Sequence, residues 1–271
     1  MGLFGVGYDG IGKNWEKDTK IYTICSFLIE SLKLLDGGRI PYQYVGKPYM
    51  TFHLYADMIF KALLDFFKIF KRIDLVFDIY LTNSLKAATR EKSGKGVRRR
   101  VAPQNKCPGR WSEFLKDALN KKELNEFLAE RLSSMTYPEG RELNVTFEDK
   151  VLSNCEKTMP DCDHEEADSR LLHHAKHALN EGMTYINIVS NDTDVIILAL
   201  GVYHKLRADH VFDEMTIGFG MGKNKREISI KNLANSLGQA RSQALIFLHA
   251  FSGCDTISAF KSIGKKKPMR H

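Results

Sequence analysis

Two aspartates stand in the middle of the apolar stretch INIVSNDTDVIILAL, which covers residues 186–200. The run before Asp192 is typical of a buried strand, and the residues after Asp194 are equally apolar. A carboxylate is expensive to keep near a hydrophobic core unless a cation or a hydrogen-bond donor pairs with it. Helix capping is one interpretation, since aspartate is a favoured N-cap and suits the first turn of a helix. Capping accounts for one of the two aspartates more easily than for both.

Other acids follow apolar segments in the same way. In a parallel sheet these positions meet at the carboxyl edge, where ligands bind. Two carboxylates ~4 Å apart repel by about 4 kcal/mol at an effective dielectric of about 20, so we expect raised pKa values and a need for cations. Oxygen ligands favour Mg²⁺ or Mn²⁺, and acidic sites that hold two such ions often cleave phosphodiester bonds. The candidate acids are Asp36, Asp78, Glu166, Asp168, Asp192, Asp194 and Asp255.

The segments that must position these acids alternate between strand-like and helix-like patterns. Strands are predicted in LKLLDGG, RIDLVFDIY, ELNVTF and INIVS. Apolar residues at helical spacing predict helices in IYTICSFLIESL, ADMIFKALLDFFKIF, RWSEFLKDALNKKELNEFLAERLSSM, EEADSRLLHHAKHALNEG and LANSLGQARSQALIFLHAFSGCD, and another after Asp192. MTIGFGMGKNKREISI predicts a hairpin that turns at GKN. This alternation predicts an α/β fold with a mainly parallel sheet.

Composition sets limits on the class of protein. The chain has 271 residues, 43% of them hydrophobic, and a net charge of +7, which suits an anionic partner such as nucleic acid. Its five cysteines show no CxxC spacing, so we expect free thiols in a reducing intracellular compartment. No signal peptide and no apolar run long enough to span a membrane are evident, so no membrane partner is expected.

Histidines and cysteines near Glu166 raise the alternative of a zinc site. His173 and His177 have the i,i+4 spacing of metal ligands, and HEEAD at 164–168 is close to the HExxH signature. The fifth residue of that stretch is an aspartate, however, and the spacing of Cys155 and Cys162 fits no common zinc template. We therefore favour the acids as the metal ligands.

The motifs LLDGG, LVFDIY, EEADSR, SNDTDVI, SGCDT and FKSIGKKK occur in this order along the chain. In order and interval they resemble the flap endonuclease and XPG-type structure-specific nucleases of the PIN-like superfamily. The resemblance implies a PIN-like, three-layer α/β/α domain with a mainly parallel sheet over residues 31–271. It also implies a basic, helical arch-like insertion at 84–137 and the start of a helix-two-turn-helix at 256–271, whereas residues 1–30 are an extension of unclear role.

The same resemblance implies roles for individual residues. The seven acids would hold two Mg²⁺ or Mn²⁺ ions, and hydrolysis would leave a 5′-phosphate and a 3′-hydroxyl. The substrate would be branched or flapped DNA, or RNA, as expected for a DNA-repair nuclease found in the nucleus rather than the cytoplasm. Lys86 and Arg90 would neutralise charge at the scissile phosphate. The expected nucleic-acid contacts are Lys86, Arg90, Arg98, Arg99, Arg100, Ser262, Gly264, Lys265 and Lys266.

Several departures from the family pattern keep other functions open. Some thirty residues precede Asp36, Asp168 replaces a glutamate, and the chain stops at His271 soon after SIGKKK, so the duplex-gripping turn is expected to be incomplete. The basic run at 84–100, with seven basic residues and one acid, is alternatively a solvated face. The alternative functions are a catalytically inactive PIN-like scaffold that binds nucleic acid and a metal-dependent phosphohydrolase of small molecules.

Overall fold

The described part of the chain contains seven strands and eight α-helices. The computed structural model describes residues 30–79, 96–156, 159, 162, 164, 166–220 and 222–252. The strands are β1 Ser31–Asp36, β2 Arg72–Val76, β3 Glu142–Phe147, β4 Lys150–Ser153, β5 Tyr185–Val189, β6 Glu214–Phe219 and β7 Arg226–Ser229. The helices are α1 Ile40–Gln43, α2 Phe52–Phe66, α3 Trp111–Lys116, α4 Ala118–Ser133, α5 Ala167–Asn180, α6 Thr193–Asp209, α7 Ile230–Leu237 and α8 Gln239–Ser252.

The strands form one mixed sheet in the order β4-β3-β2-β1-β5-β6-β7. The five inner strands run parallel, and the two edge strands, β4 and β7, are antiparallel to their neighbours. Leu35 of β1 lies opposite Leu75 of β2 and Val189 of β5, so these three strands reach the carboxyl edge together. Chain order reverses between β1 and β5, and such a switch point is where α/β sheets bind ligands.

Helices cover both faces of the sheet because the central strands are apolar on both sides. In β1, Leu35 belongs to a core cluster with α2, α3 and α4, whereas Leu32 and Leu34 belong to a second cluster with α5, α6 and α7. This alternation follows the two-residue period of a strand. The prediction of an α/β fold with a mainly parallel sheet is confirmed, with helices in a layer on each side.

The helices of the predicted arch-like segment pack against this core. Trp111 and Phe114 of α3 and Leu128 of α4 are buried in the first cluster, and α4 contacts β3. Trp111 also donates a hydrogen bond of 2.7 Å from its indole Nε1 to the carbonyl of Pro41. Both helices therefore contribute to the layer on this face of the sheet.

A buried polar network accounts for two of the three histidines of α5. Arg72 Nη2 and His174 Nδ1 each lie 2.7 Å from Asp74 Oδ2, and all three side chains are almost fully buried. Burial alone would raise the pKa of Asp74, but the charge of Arg72 and the hydrogen bonds from His174 and Arg72 hold it well below its usual range. His177 Nδ1 lies 3.1 Å from Arg72 Nη1. Two of these histidines therefore serve packing and hydrogen bonding.

Most predicted elements are confirmed, but there are several local differences, among them the short helix α1, which was not predicted. Gly182 follows α5 with φ 85°, and β6 and β7 form the expected hairpin around GKN. The helix predicted over residues 21–32 is wrong for its last two residues, because Ser31 and Leu32 belong to strand β1, which pairs with β2 and β5. Residues 21–29 of that prediction lie outside the described residues. The helix predicted after β7 is broken at Gly238, with φ 74°, and the short strand β4 was not predicted. No described helix is long and apolar enough to cross a membrane.

Candidate metal centre

Asp36 ends the central strand β1 and is fixed by two hydrogen bonds. Its Oδ1 accepts from the backbone N–H of Gly38 at 3.0 Å, and its Oδ2 accepts from the Ser190 hydroxyl at 3.2 Å. Gly37 lets the chain turn close to the next strand, since a Cβ atom there would lie 2.4 Å from Phe77 Cδ1. Phe77 precedes Asp78, so this close approach brings two of the predicted acids to the same edge.

Asp78 follows β2 and contacts the start of α5. Its Oδ1 accepts a hydrogen bond of 2.9 Å from the backbone N–H of Ala167, which stands between Glu166 and Asp168. The backbone of Phe77 is held on both sides: its N–H donates to Thr146 Oγ1 at 2.7 Å, and its carbonyl accepts from Arg170 Nη1 at 2.9 Å. The carboxylate of Asp78 therefore serves as a helix cap across the sheet edge.

Asp192 and Asp194 occupy the first turn of α6, directly beyond β5. Asp192 is the N-cap and accepts from the backbone N–H of Asp194 at 2.9 Å, so the capping interpretation is correct for Asp192. Ser190 Oγ accepts from the Asp192 N–H at 3.1 Å. Asp194 Oδ1 instead lies 2.8 Å from His249 Nε2. Capping therefore explains one of the two aspartates and leaves the position of the other unexplained.

Three carboxylates meet closely at this point. Asp168, Asp192 and Asp194 each present one oxygen such that all three oxygens lie within 4.8 Å of one another. Among the residues that the structure describes, no other group of three His, Cys, Asp or Glu side chains meets this distance. The described cysteines and histidines that raised the zinc alternative therefore do not form such a group.

The carboxylates of Asp36 and Asp78 act on the same site. Burial, followed by the charges of Asp192, Asp36, Asp78 and Asp194, raises the pKa of Asp168 to about 8. Burial and the charge of Asp78 raise the pKa of Asp36 to about 6. Raised pKa values were expected from mutual repulsion among clustered acids, and these two shifts agree with that expectation. Five carboxylates thus share one crowded and partly dehydrated site.

The donor set fits a hard divalent cation. All the converging groups are carboxylates, which Mg²⁺ and Mn²⁺ prefer, and a cation there would offset the burial and the repulsion that raise the pKa of Asp168. The site lies at the carboxyl edge between β1 and β5, where the fold places ligands. These residues can therefore bind a metal ion and, through it, an anionic group.

Four other predicted site residues lie within the described part of the chain. Glu166 is the N-cap residue of α5, without a side-chain capping bond. Arg98, Arg99 and Arg100 are all exposed, and Arg98 also pairs with Glu123 and donates to Asn120 Oδ1 at 2.8 Å. The predicted residues outside the described ranges are Asp255, Lys86, Arg90, Ser262, Gly264, Lys265 and Lys266.

Three residues of the site were not predicted from the sequence. Ser190 joins Asp36 to the start of α6, and His249 reaches Asp194 from α8. Arg39, three residues after Asp36, lies close enough for its charge to lower the pKa of that carboxyl. The SND sequence before α6 could have indicated Ser190, but no local pattern distinguishes His249 or Arg39.

Comparison of the chain with protein-family models, with curated proteins and with solved structures found no match.

Proposed function

We propose that the chain is a divalent-metal-dependent phosphodiesterase with a PIN-like nuclease domain that acts on DNA or RNA, as the flap endonuclease resemblance implies. The observation that carries this proposal is the convergence of Asp168, Asp192 and Asp194 at the switch point of the sheet, with Asp36 and Asp78 acting on the same site. Sites of this composition hold hard metals in enzymes that cleave phosphodiester bonds.

The five carboxylates would hold Mg²⁺ or Mn²⁺. When bound, such an ion lowers the pKa of water and neutralises charge on phosphate oxygens. Ser190 orients Asp36 by donating to its Oδ2, and His249 orients Asp194 from the neighbouring helix. Such contacts to ligating carboxylates fix their direction and tune their affinity for the ion.

The basic segment after β2 supports a nucleic-acid substrate. The Arg99 N–H donates to Asn120 Oδ1 at 2.9 Å, and the Val101 N–H donates to Glu123 Oε2 at 3.0 Å, so α4 fixes this part of the backbone. All three arginines are exposed, but Arg98 is engaged by the same helix through its pair with Glu123. Arg99 and Arg100 are therefore the stronger candidates for contacts to phosphates.

A catalytically inactive nucleic-acid-binding scaffold is the second candidate. It is favoured by the two capping bonds, from the Ala167 N–H to Asp78 and from the Asp194 N–H to Asp192, because each gives a carboxylate a structural role without a metal. Capping does not explain why Asp168 lies beside both helix starts with its pKa raised to about 8.

Cleavage by matched variants separates the two functions. Asp168→Asn keeps the side-chain size, removes one charge, and should reduce cleavage of labelled flap and single-stranded oligonucleotides by at least 100-fold in Mg²⁺. Asp209→Asn is the control, since Asp209 is exposed at the opposite end of α6. EDTA should abolish cleavage by the wild-type protein. Binding without any Mg²⁺-dependent cleavage would favour the scaffold, whereas equal cleavage by both variants would show that the carboxylate cluster is not the active site.

A further inference from the structure

A second polar cleft opens on the face of the sheet opposite α5 and α6. It follows β1, β5 and β6 and the hairpin that leads into β7, and its volume is about 40 Å³. A cavity of ~10–15 Å³ on this scale holds one water, so the cleft has room for a small anion of a few heavy atoms. Its walls are Lys33, Asn187, Val189, Gly218, Lys225, Arg226 and Glu227.

Lys33 forms the buried base of this cleft. Its ammonium donates to Asn187 Oδ1 at 2.7 Å and lies 4.7 Å from the ring centres of Phe66 and Phe70. Asn187 in turn donates to Thr216 Oγ1 at 2.8 Å and to Glu227 Oε1 at 3.1 Å. Lys33 is 4% exposed, and burial together with the charge of Lys225 lowers its pKa to about 7. Additional negative charge at this point would favour the ammonium form.

Arg39 lies at the corner between this cleft and the acidic site. Its Nη2 makes a long hydrogen bond of 3.4 Å to the Gly220 carbonyl, but its Nε and Nη1 are shielded from solvent and have no hydrogen-bond partner among the described residues. Gly220 adjoins the wall of the cleft, because a Cβ atom on it would lie 3.5 Å from Lys225 Cα. A guanidinium with two unsatisfied donors is suited to bind an oxyanion.

The charges around the cleft favour an anion strongly. Three of its wall residues, Lys33, Lys225 and Arg226, are basic, and Glu227 is the one acid among the wall residues that the structure describes. Arg39 lies outside the wall but close enough for its charge to act on Lys33. The charges of Lys225 and Arg39 both reach Lys33. The cleft is also coupled to the carboxylate cluster, because Arg39 follows Asp36 by three residues and acts on its pKa.

We propose that this cleft binds the terminal phosphate of a nucleic-acid strand whose neighbouring phosphodiester lies at the carboxylate cluster. The proposal rests on the proposed function and adds a substrate class, namely strands that carry a phosphomonoester end. The small volume favours a terminal group over a continuous backbone, and a phosphomonoester carries more charge than an internal phosphate. Lys225 would contact this phosphate, with Lys33 beneath it, and the Arg39 side chain would turn its Nε and Nη1, which are shielded from solvent in this structure, towards it.

Binding in EDTA tests this cleft without the metal site. Fluorescence anisotropy would compare one single-stranded oligonucleotide in three forms: 5′-phosphorylated, 3′-phosphorylated and with hydroxyls at both ends. We expect wild-type protein to bind one phosphorylated form about 10-fold more tightly than the hydroxyl form. The end that is preferred gives the direction of the strand. An equal affinity for all three forms would overturn the proposal.

Substitutions in and beside the cleft test whether it causes the preference for a phosphorylated end. The double variant Arg39→Gln/Lys225→Gln should lose the preference, so that its affinities for the phosphorylated and hydroxyl forms become equal. Lys223→Gln, which alters an exposed residue in the same hairpin turn, should keep the preference. Glu227→Gln retains an acceptor for Asn187 and should strengthen the preference. Thermal melts confirm that each variant is folded, and a preference that survives in a folded double variant would place the phosphate elsewhere.

The outcome is separable from that of the nuclease proposal. A phosphate preference in EDTA without Mg²⁺-dependent cleavage would retain the cleft and reject the nuclease. Cleavage that requires Asp168, with equal binding of all three oligonucleotides, would retain the nuclease and reject the cleft.

Discussion

The carboxylate of Asp78 accepts a hydrogen bond of 2.9 Å from the backbone N–H of Ala167, a residue 89 positions further along the chain. This bond joins the carboxyl end of β2 to the start of α5, so that Asp168 enters the space already bounded by Asp36 and Asp192. Acids from distant parts of the sequence are therefore brought together by the capping of one helix. The same contact gives Asp78 a structural role beside the metal-binding role that we propose.

Replacing Asp168 should stabilise the metal-free protein at high pH. The folded-state pKa of about 8 exceeds the ordinary value of 3.8, so the stability contributed by this proton is complete below about pH 4 and is lost as the pH rises through 8. The raised pKa of Asp36 acts in the same direction, because its contribution to stability is lost as the pH rises through about 6. After allowance for solvent screening, Asp168→Asn should gain about 2 kcal/mol at pH 9, or roughly 4–8 °C in Tm.

Thermal melts in EDTA from pH 4 to pH 9 measure this effect. Asp209→Asn, at the exposed end of α6, should follow the wild-type curve throughout. A variant at position 168 that melts no higher than wild type at pH 9 would show that Asp168 is not under electrostatic strain.

His249 should set the affinity of the site for metal. Its Nε2 lies 2.8 Å from Asp194 Oδ1, and removal of such a partner typically weakens metal binding 10- to 100-fold. We expect His249→Ala to fall in this range in calorimetric titrations with Mn²⁺, and His249→Gln, which keeps a donor, to be affected less. An equal reduction of affinity in both variants would assign His249 to packing alone.

Gly37 should tolerate no side chain. A Cβ atom there would lie 2.4 Å from Phe77 Cδ1, so Gly37→Ala should destabilise the fold by about 1–3 kcal/mol through overpacking. Gly109→Ala is the control, because its Cβ would make an ordinary contact of 3.9 Å with Pro48. Urea unfolding of both variants provides the comparison, and an equal cost would mean that β1 and β2 approach less closely than described.

The exposed arginines should set the salt dependence of binding. An arginine that neutralises one phosphate of duplex DNA contributes about 0.9 to the log–log salt slope, so Arg99→Ala/Arg100→Ala should flatten it by up to about 1.8. Because phosphates carry no sequence information, the reduction in affinity should not depend on sequence. Arg98→Ala should chiefly lower stability, since Arg98 pairs with Glu123. An unchanged slope in the double variant would identify the segment as a solvated face.

The sequence was informative where an acid directly follows an apolar run. Asp36, Asp78 and Asp192 could be placed at the carboxyl edge because parallel strands end together there. Contacts over long separations could not be predicted: Ser190 reaches Asp36 across 154 residues, and His249 reaches Asp194 across 55. Strand β4 has only four residues, KVLS, which is too short to show the alternation of apolar and polar residues by which strands are predicted. The pairing of Arg98 with Glu123 depends on how α4 packs, which charge patterning does not specify.

Diffraction from crystals soaked in Mn²⁺ tests the metal centre most directly. The protein would be crystallised in EDTA, transferred to MnCl₂ near pH 7, and measured at the manganese absorption edge. We expect an anomalous peak coordinated directly by Asp168, Asp192 and Asp194, with Asp36 and Asp78 at the same site, and no such peak in Asp168→Asn crystals. A carboxylate cluster that stays free of manganese, while the ion binds elsewhere on the protein, would contradict a metal-binding role for these acids.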